Sequence, residues 1–298
     1  MDRLESLDFF IQIIERGGVA AAGRDLGLSA AASSARLAAL ERHYGVTLLA
    51  RTTRSFSLTE EGRMLLEGAR TLVDDARELE ALLRHGAEQL SGRIRVQAPE
   101  DLGVNRLAAI LDAFAEEHPN VSLELNLHDG WADLAGAGFD LAFRYGALKD
   151  SSMVVRRLAS SRRLVCASPA YLQARGAPVH PNELGAHNCL VMQFGDNVDR
   201  SWTFNVDGEE QSIAVTGNRL ANNGGLVRRW CLEGRGLALK SYLDVAGDLE
   251  SGALVEVLGA FASQQPYPLQ IAYPGTRTPN RRVRALIDFV FARFPKLS

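Results

Sequence analysis

The chain has 298 residues, which is enough for two domains of ordinary size or one large domain. Its composition, 46% hydrophobic and 23% charged, is that of a globular protein and excludes a disordered or fibrous chain. The formal net charge is −3, which taken alone argues against a nucleic-acid-binding protein, because such proteins usually carry an excess of basic residues. A sum over the whole chain, however, can conceal a local basic patch.

The cysteine content and the lengths of the apolar runs indicate the cellular compartment of the protein. Cys166, Cys189 and Cys231 are far apart and form no CxxC pair, so neither a disulfide framework nor a zinc site is predicted. The N-terminus lacks the basic-then-apolar pattern of a secretory signal. No apolar run approaches the ~18 residues that a membrane-spanning helix requires. We therefore expect a cytoplasmic protein with no membrane partner, no metal and no cofactor.

The first 58 residues are predicted to form short helices followed by a hairpin. Apolar residues recur at helical spacing over residues 4–14. A second helix is predicted over residues 19–26, and Ser29 can cap a third helix that runs to about His43. Two helices joined by so short a glycine-containing turn are typical of the helix-turn-helix, whose second helix enters the major groove of DNA. Residues 55–58 alternate polar and apolar, as the strand of a wing would.

From Thr59 onward the pattern predicts one long helix. Thr59 is suited to the N-cap, and acidic residues follow it at the positive end of the helix dipole. At 1.5 Å per residue, a helix over residues 60–85 would extend about 39 Å. A heptad seam of six apolar residues follows this helix: Leu65, Ala69, Leu72, Ala76, Leu79 and Leu83. The seam could pack against its own domain, but its length favours a partner helix, most simply from a second copy of the chain.

Beyond residue 91 the pattern changes to alternating strands and helices. A strand at 94–98, an amphipathic helix at 107–114 and a strand at 121–127 form a βαβ unit. Further strands are predicted at 141–145, 164–167, 190–194, 213–216, 237–239 and 269–273, and a last helix at 283–294. Such alternation indicates an α/β region of mostly parallel sheet, with two lobes as one arrangement.

Several stretches, in order along the whole chain, resemble the LysR-type transcriptional regulators. LGLSAAASSARLAALE (26–41) has the layout of the family's recognition-helix region, and GVTLLARTTRSFSLTEEG (45–62) is close to its wing and linker helix. GRIRVQAPEDLG (92–103), GFDLAFRYG (138–146) and CASPAYL (166–172) resemble its effector-binding domain. One departure is that Ala30, Ala31 and Ala35 stand where the family often carries larger polar residues.

The resemblance implies three domains and a small ligand. The α/β fold would combine an N-terminal winged helix-turn-helix with a two-lobed domain similar to periplasmic binding proteins, whose cleft holds the effector. The implied boundaries are 1–59 for the DNA-binding domain, 60–90 for a dimerising linker helix and 91–298 for the effector-binding domain, with lobe I at about 91–162 and 268–298 and lobe II at about 163–267. The resemblance also implies a homodimer and a dimer of dimers.

Positive and negative charges are concentrated in different segments, and the net charge of the whole chain does not show this. Residues 29–59 carry a net charge of +3, whereas residues 60–88 carry −4. Arg51 and Arg54 are predicted to contact phosphates from the wing, and Arg36 to contact a phosphate or a guanine edge.

Small residues of the third helix complete the predicted DNA contacts. Ser29, Ser33 and Ser34 are candidates for hydrogen bonds to phosphate or bases. The alternatives are that Ser29 only caps the helix and that Ser33 faces water. Ala30 and Ala31 are candidates for contact with a thymine methyl group.

Loops after predicted strands are the candidates for effector binding, because open α/β sheets bind ligands beyond the carboxyl ends of their strands. The predicted contacts are Glu100, Asp101, Leu102, His128, Asp129, Arg144, Phe194, Asn222, Asn223 and Gly224. Residues 222–224 precede a predicted helix and could present N–H groups to an anion. Arg144 is a candidate carboxylate partner or a structural ion pair. Glu100 and Asp101 serve equally well as acids at a helix N-terminus.

Two other functions compete with this interpretation. An enzyme is disfavoured because the sequence contains no GxSxG elbow, no P-loop, no GxGxxG after a strand and no HExxH. A solute-binding protein would share the C-terminal fold, but it would carry an export signal and lack the wing arginines. The sequence therefore predicts a transcriptional regulator without catalytic activity that binds double-stranded DNA and a small-molecule effector, with RNA polymerase as a further candidate partner.

Overall fold

The computed structural model describes residues 2–51, 56–85, 89–130, 138–146, 152–275 and 278–295. The described chain divides into two compact units: the first runs to Gly92 and also includes Gly138, and the second comprises the other residues from Arg93 onward. The first unit contains, in chain order, α1 (Arg3–Glu15), α2 (Val19–Asp25), α3 (Ala30–Tyr44), β1 (Leu49–Arg51), β2 (Phe56–Leu58) and α4 (Glu60–His85).

Capping residues fix the ends of the first three helices. The side chain of Asp2 accepts a hydrogen bond from the Leu4 N–H (2.9 Å) at the start of α1. Ser29 accepts one from the Ala32 N–H (3.2 Å), so its predicted role as the cap of α3 is confirmed. Gly45 ends α3 at φ 69°, a left-handed conformation that favours glycine. The short connection between α2 and α3 therefore forms as the sequence predicts.

The long helix α4 is anchored to this unit at its first turns. Thr59 caps it, because its hydroxyl accepts the Gly62 N–H (2.9 Å) and donates to the Thr47 carbonyl (2.7 Å). Leu66 and Val73 are buried in the same apolar core as α1 and α3. The first half of α4 is therefore part of the helix-turn-helix unit.

The second unit contains two sheets with helices on their faces. Its elements, in chain order, are β3 (Gly92–Ala98), α5 (Glu100–Leu102), a π-helical turn (Gly103–Leu107), α6 (Ala108–Glu117), β4 (Val121–Leu127), β5 (Leu141–Tyr145), β6 (Met153–Ala159), β7 (Arg163–Ala167), α7 (Pro169–Arg175), a 3-10 turn (Pro181–Ala186), β8 (Cys189–Phe194), β9 (Asn197–Val198), β10 (Ser201–Val206), β11 (Glu209–Ala214), β12 (Arg219–Ala221), α8 (Gly224–Leu232), β13 (Leu237–Ser241), α9 (Tyr242–Glu250), β14 (Val255–Val257), a 3-10 turn (Gly259–Phe261), β15 (Leu269–Pro274) and α10 (Arg281–Arg293).

Both sheets are mixed, which corrects the prediction of a mostly parallel sheet. The lobe I sheet has the order β4-β3-β5-β15-β6; β3 and β5 are parallel, whereas β15 runs antiparallel to β5 and β6. The lobe II sheet has the order β12-β8-β13-β7-β14, in which β8 is parallel to β12 and β13, and β7 is antiparallel to β13 and β14. In lobe I both of these antiparallel pairs involve β15, which the chain reaches only after it has passed through lobe II.

The sequence placed one strand wrongly and missed others. The strand expected at 213–216 is the end of β11, which pairs with β10 in an antiparallel hairpin. The strands β6, β9, β10, β12 and β14 were not predicted. β6 was missed because most of its side chains are exposed and it has no alternating apolar pattern. Cys166, Cys189 and Cys231 are free and buried. In the described ranges, no helix combines the length and apolar character needed to cross a bilayer.

Two glycines of α4 give a test of how this helix is anchored. A Cβ at Gly62 would lie 2.1 Å from the backbone carbonyl oxygen of Leu48, whereas one at Gly68 would meet no atom within 4 Å. Gly62→Ala should therefore lower the free energy of unfolding of the first unit by about 1–3 kcal/mol. Gly68→Ala, the matched control, should raise it by about 0.5–1 kcal/mol. Hydrogen exchange of peptides from α1–α4 measures both changes in the free energy of unfolding. Equal changes would show that the start of α4 does not pack against the Leu48 carbonyl.

Candidate functional site

The outward face of α3 carries small side chains. Ala30, Ala31 and Ser34 are exposed, as contact with DNA requires. Ser33 is buried: its hydroxyl donates to the Ser29 carbonyl (2.9 Å) and lies against Gly23 of α2. Its predicted DNA contact is therefore wrong, because the close approach of α2 and α3 covers it.

Arg36 is held by α1. Its Nη2 donates to the Glu5 carboxylate (3.1 Å), and its guanidinium lies over the Phe9 ring at 5.4 Å from the centroid. Both contacts turn the side chain toward α1 and offset its charge. Arg36 therefore makes a structural contact between helices in the chain without DNA, and its contact with phosphate or guanine stays a prediction.

The predicted wing is present as a two-stranded antiparallel hairpin. Leu49 pairs with Leu58, and Arg51 with Phe56, in the register of β1 and β2. Arg54 lies outside the described residues. Arg51 therefore lies in a strand of this hairpin. This strand follows α3 in the sequence and belongs to the basic segment predicted at residues 29–59.

The heptad seam of α4 divides into a covered and an uncovered part. Ala69 is buried and Leu65 is half-buried in the core of its own unit, which corrects their assignment to a partner interface. Ala76 is half-buried. Leu72 and Leu79 are each 57% exposed and Leu83 is 78% exposed. The second half of α4 thus presents an apolar stripe that the described part of the chain leaves largely uncovered.

A cleft of about 410 Å³ lies between the two lobes of the second unit. Four of the predicted effector residues line it: Asp129, Arg144, Phe194 and Gly224. Lobe I contributes the ends of β3 and β5, and lobe II contributes β8, α8, β13 and α9. The cleft is large enough for a small organic molecule, since ligand pockets typically measure about 300–1,000 Å³.

Lys240 bridges the two lobes at one side of this cleft. Its Nζ donates to the Asp101 carboxylate of lobe I (2.5 Å) and to the Gly224 carbonyl of lobe II (2.9 Å). The Asp244 carboxylate lies 3.7 Å from the same nitrogen. Burial opposes the charge on Lys240, but Asp244 and Asp101 outweigh it and raise the pKa of Lys240. The ammonium group is therefore charged at neutral pH.

Further hydrogen bonds cross between the lobes. The Asp129 carboxylate of lobe I accepts the Gly224 N–H at the start of α8 (2.7 Å). The Tyr145 hydroxyl donates to Asp244 (2.7 Å), and Asn223 donates to Glu100. Burial raises the pKa of Asp244 to about 6, although the positive charge of Lys240 lowers it. The lobes are therefore joined by polar groups of the chain itself.

Two family descriptions together match nearly the whole chain. Residues 4–63 match "Bacterial regulatory helix-turn-helix protein, lysR family", and residues 87–295 match "LysR substrate binding domain". The chain belongs to the LysR-type transcriptional regulators. These are regulators and not enzymes, and the N-terminal helix-turn-helix, the long helix α4 and the two mixed sheets are the architecture of this family.

Relatives of this LysR-type regulator align with almost its whole length. It is 33% identical over 287 residues to the HTH-type transcriptional regulator DmlR of Escherichia coli (strain K12), covering 96% of this chain and 93% of the relative. It is 32% identical to CrgA of Neisseria meningitidis serogroup C (strain 8013), covering 96% and 95%. The solved structure of CrgA from Neisseria meningitidis has a TM-score of 0.64 at 29% identity and covers 99% of this chain and 99% of its own. The full-length structure of Vibrio cholerae AphB has a TM-score of 0.64 at 28% identity and covers 99% of this chain and 100% of its own.

Six predicted effector residues of this LysR-type regulator lie outside the lining of the cleft. Glu100, Asp101 and Asn223 belong to the bridges between the lobes, and Leu102 is fully buried in the core. His128 is exposed and its ring accepts the Gly130 N–H (2.8 Å). Asn222 is exposed. The alternative in which Glu100 and Asp101 are acids at a helix start agrees with their place in α5.

Of the lining residues on the lobe II side, the sequence predicted only Phe194 and Gly224 and missed several others. Lys240 and Asp244 line the cleft, as do Arg163, Asp199 and Tyr267. One local signal was present, since Lys240 is a cation in an otherwise apolar strand and Asp244 follows it by four residues. Their partners in lobe I are about a hundred or more residues away, so no short motif links them.

Loss of Lys240 should destabilise the second unit strongly. Lys240→Met leaves the buried Asp101 carboxylate without its partner, and we expect the free energy of unfolding to fall by about 3–5 kcal/mol. Urea denaturation followed by tryptophan fluorescence measures this, because every tryptophan lies beyond residue 92. The control Arg229→Met removes an exposed pair with Glu233 (3.0 Å) and should cost less than about 0.5 kcal/mol. A similar small cost for Lys240→Met would contradict the bridging role.

Proposed function

We propose that this LysR-type regulator binds DNA through α3 and the wing, and that a small molecule in the interlobe cleft controls it. The observation that carries the effector half of the proposal is the cleft of about 410 Å³, lined by both lobes with charged groups and aromatic rings. A ligand that contacts both lobes can change their relative position, and a change in domain position is a common form of ligand response.

For the DNA surface we propose fewer contacts than were predicted from the sequence. Ala30 and Ala31 are placed against thymine methyl groups, and Ser34 against a phosphate or base. Arg51 and Arg54 of the wing supply phosphate contacts. This assignment is supported by the exposure of the three α3 residues and by the absence of acids between residues 42 and 59.

The wing assignment predicts a change in salt dependence. With about six phosphate contacts per dimer, log K should fall against log salt with a slope near −5. Arg51→Ala/Arg54→Ala should weaken operator binding and make this slope shallower by about 0.9 for each contact removed. Fluorescence anisotropy at several salt concentrations measures both quantities.

The matched control removes two arginines from the second unit. Arg175→Ala/Arg229→Ala lowers the net charge equally but lies on α7 and α8, where both side chains are exposed. It should leave the slope unchanged. Identical slopes for the wing variant and the wild type would refute the phosphate contacts.

We further propose that α4 pairs with α4 of a second copy through Leu72, Leu79 and Leu83. Their exposure and heptad spacing support this, since such a stripe is covered when two helices pack together. Two dimers would then form a dimer of dimers, in which the effector alters the spacing of the DNA-binding units and with it DNA bending and access of RNA polymerase. A regulator of this kind acts on the chromosome, and we place it in the cytoplasm.

Charged residues on this stripe should break the dimer. Leu79→Glu/Leu83→Glu places two carboxylates in the proposed interface, and we expect the dimer dissociation constant to rise by at least about a hundredfold. Analytical ultracentrifugation at micromolar concentration measures it. Met64→Glu, at a residue of the same helix that is 73% exposed but off the stripe, is the control and should leave the mass unchanged. A wild-type monomer, or an intact Leu79/Leu83 variant dimer, would overturn the proposed pairing.

A further inference from the structure

The positive end of α8 is already occupied by a carboxylate of the same chain. The Gly224 N–H at this end was predicted to meet an anion of the effector, and the Asp129 carboxylate accepts it at 2.7 Å. Asp129 belongs to lobe I and α8 to lobe II. An anionic group of a ligand would have to displace Asp129 to reach this position, so the helix end is not the anion site that the sequence suggested.

Two of the cations that line the cleft are also paired. Lys240 contacts Asp101 at 2.5 Å, and Arg163 donates to Asp199. Each pair is internal to the chain and is at least partly buried, so its charges offset one another. Neither cation is therefore available to a ligand without leaving a carboxylate unpaired.

Arg144 differs from these two cations. It lies at the end of β5, is only 6% exposed and lines the cleft. Within the described residues its guanidinium donates to the neutral side-chain oxygen of Gln97 and forms no ion pair with a carboxylate. Burial lowers the pKa of Arg144 to about 10, while the charge of Asp129 acts in the opposite direction. The group stays charged at neutral pH, and an anion beside it would offset its desolvation.

The carboxylates of the cleft are engaged by other groups of the chain, and Asp199 and Asp244 also lie beside the cations Arg163 and Lys240. Asp129 accepts the Gly224 N–H, Asp244 accepts the Tyr145 hydroxyl (2.7 Å), and Asp199 accepts from Arg163. A second anionic group, in contrast, would find no further unpaired cation among the described residues of the cleft. The arrangement thus favours one negative charge and disfavours two.

Part of the remaining wall is apolar or aromatic, beside the polar side chains of Asn197, Ser241 and Gln265. Met192, Phe194 and Val227 line the lobe II side. The rings of Tyr145 and Tyr267 stack in parallel, with centroids 5.4 Å apart and planes at 6°. Flat or branched apolar groups fit this apolar part of the wall without leaving polar atoms unpaired.

We propose that the effector is a small organic monocarboxylate with an apolar body, whose carboxylate pairs with Arg144. This proposal rests on the proposed function, because it takes the cleft as the effector site. Arginine binds carboxylates through two parallel hydrogen bonds, so a neutral amide of the same shape is a poor substitute. Arg144 then selects the charge of the ligand, and the apolar walls select its body.

Matched compounds test the proposal on the full-length wild-type protein by isothermal titration calorimetry. The acids are benzoate, phenylacetate and 4-methylpentanoate; the others are their amides, the dicarboxylates phthalate and succinate, and benzylamine. We expect at least one acid to bind, and to bind at least about tenfold more tightly than its amide. The dicarboxylates and the amine should bind more weakly than that acid.

Variants then assign the contact to one residue. Arg144→Gln should weaken binding of the acid at least about tenfold and leave its amide unchanged, whereas Arg144→Lys should retain part of the difference. Arg156→Gln is the matched control, since Arg156 is a lobe I arginine that packs on Phe291 and is not part of the cleft. It should bind the acid as the wild type does.

Several outcomes overturn the proposal. They are tighter binding of an amide, a dicarboxylate or the amine, binding of no acid in the panel, and unchanged acid affinity in a folded Arg144→Gln variant. The proposed function fails on a separate measurement, in which a protein-free small-molecule extract of bacterial cells leaves operator affinity unchanged. If the extract changes operator affinity but no acid binds, the ligand class is wrong and the regulator function stands.

Discussion

The ion pair between Lys240 and Asp101 is the contact on which the geometry of the interlobe cleft depends. It joins a strand of lobe II to a helix start in lobe I, and the Lys240 ammonium is also bonded to the Gly224 carbonyl. A buried pair of this kind costs desolvation free energy and contributes little net stability compared with apolar packing, but losing one partner is expensive. The lobes are therefore held at one edge of the cleft before any ligand binds.

Pairing within the chain also determines which charged residues are available to bind partners. Arg36 and Lys240 are conspicuous cations in the sequence, yet both are engaged within the chain, by Glu5 and by Asp101. Arg144 is nearly buried and has only a neutral partner among the described residues. Availability for binding thus depends on what the fold places next to a side chain, because pairing offsets a charge that would otherwise attract a ligand.

Helix α4 shows how one sequence pattern serves two contacts. Its heptad seam is continuous in the sequence, but Ala69 is covered by the core of its own unit and Leu83 is exposed. The seam turns from an internal to an external surface along its length: α1 still contacts the helix at Arg77, through Asp8 (2.9 Å), and Leu83 lies beyond that contact. An apolar period by itself predicts that a helix face is covered and does not say by which partner.

The sequence by itself determined the family, the α1–α4 elements with the caps Ser29 and Thr59, and most strands, because caps and periodicity act over a few neighbouring residues. Only the tertiary structure decided that Ser33 is covered, that the sheets are mixed, and that four of ten predicted effector residues line the cleft. Asp101 and Lys240 are 139 residues apart, and such contacts depend on how distant strands are brought together. Local signals carry no information about that arrangement.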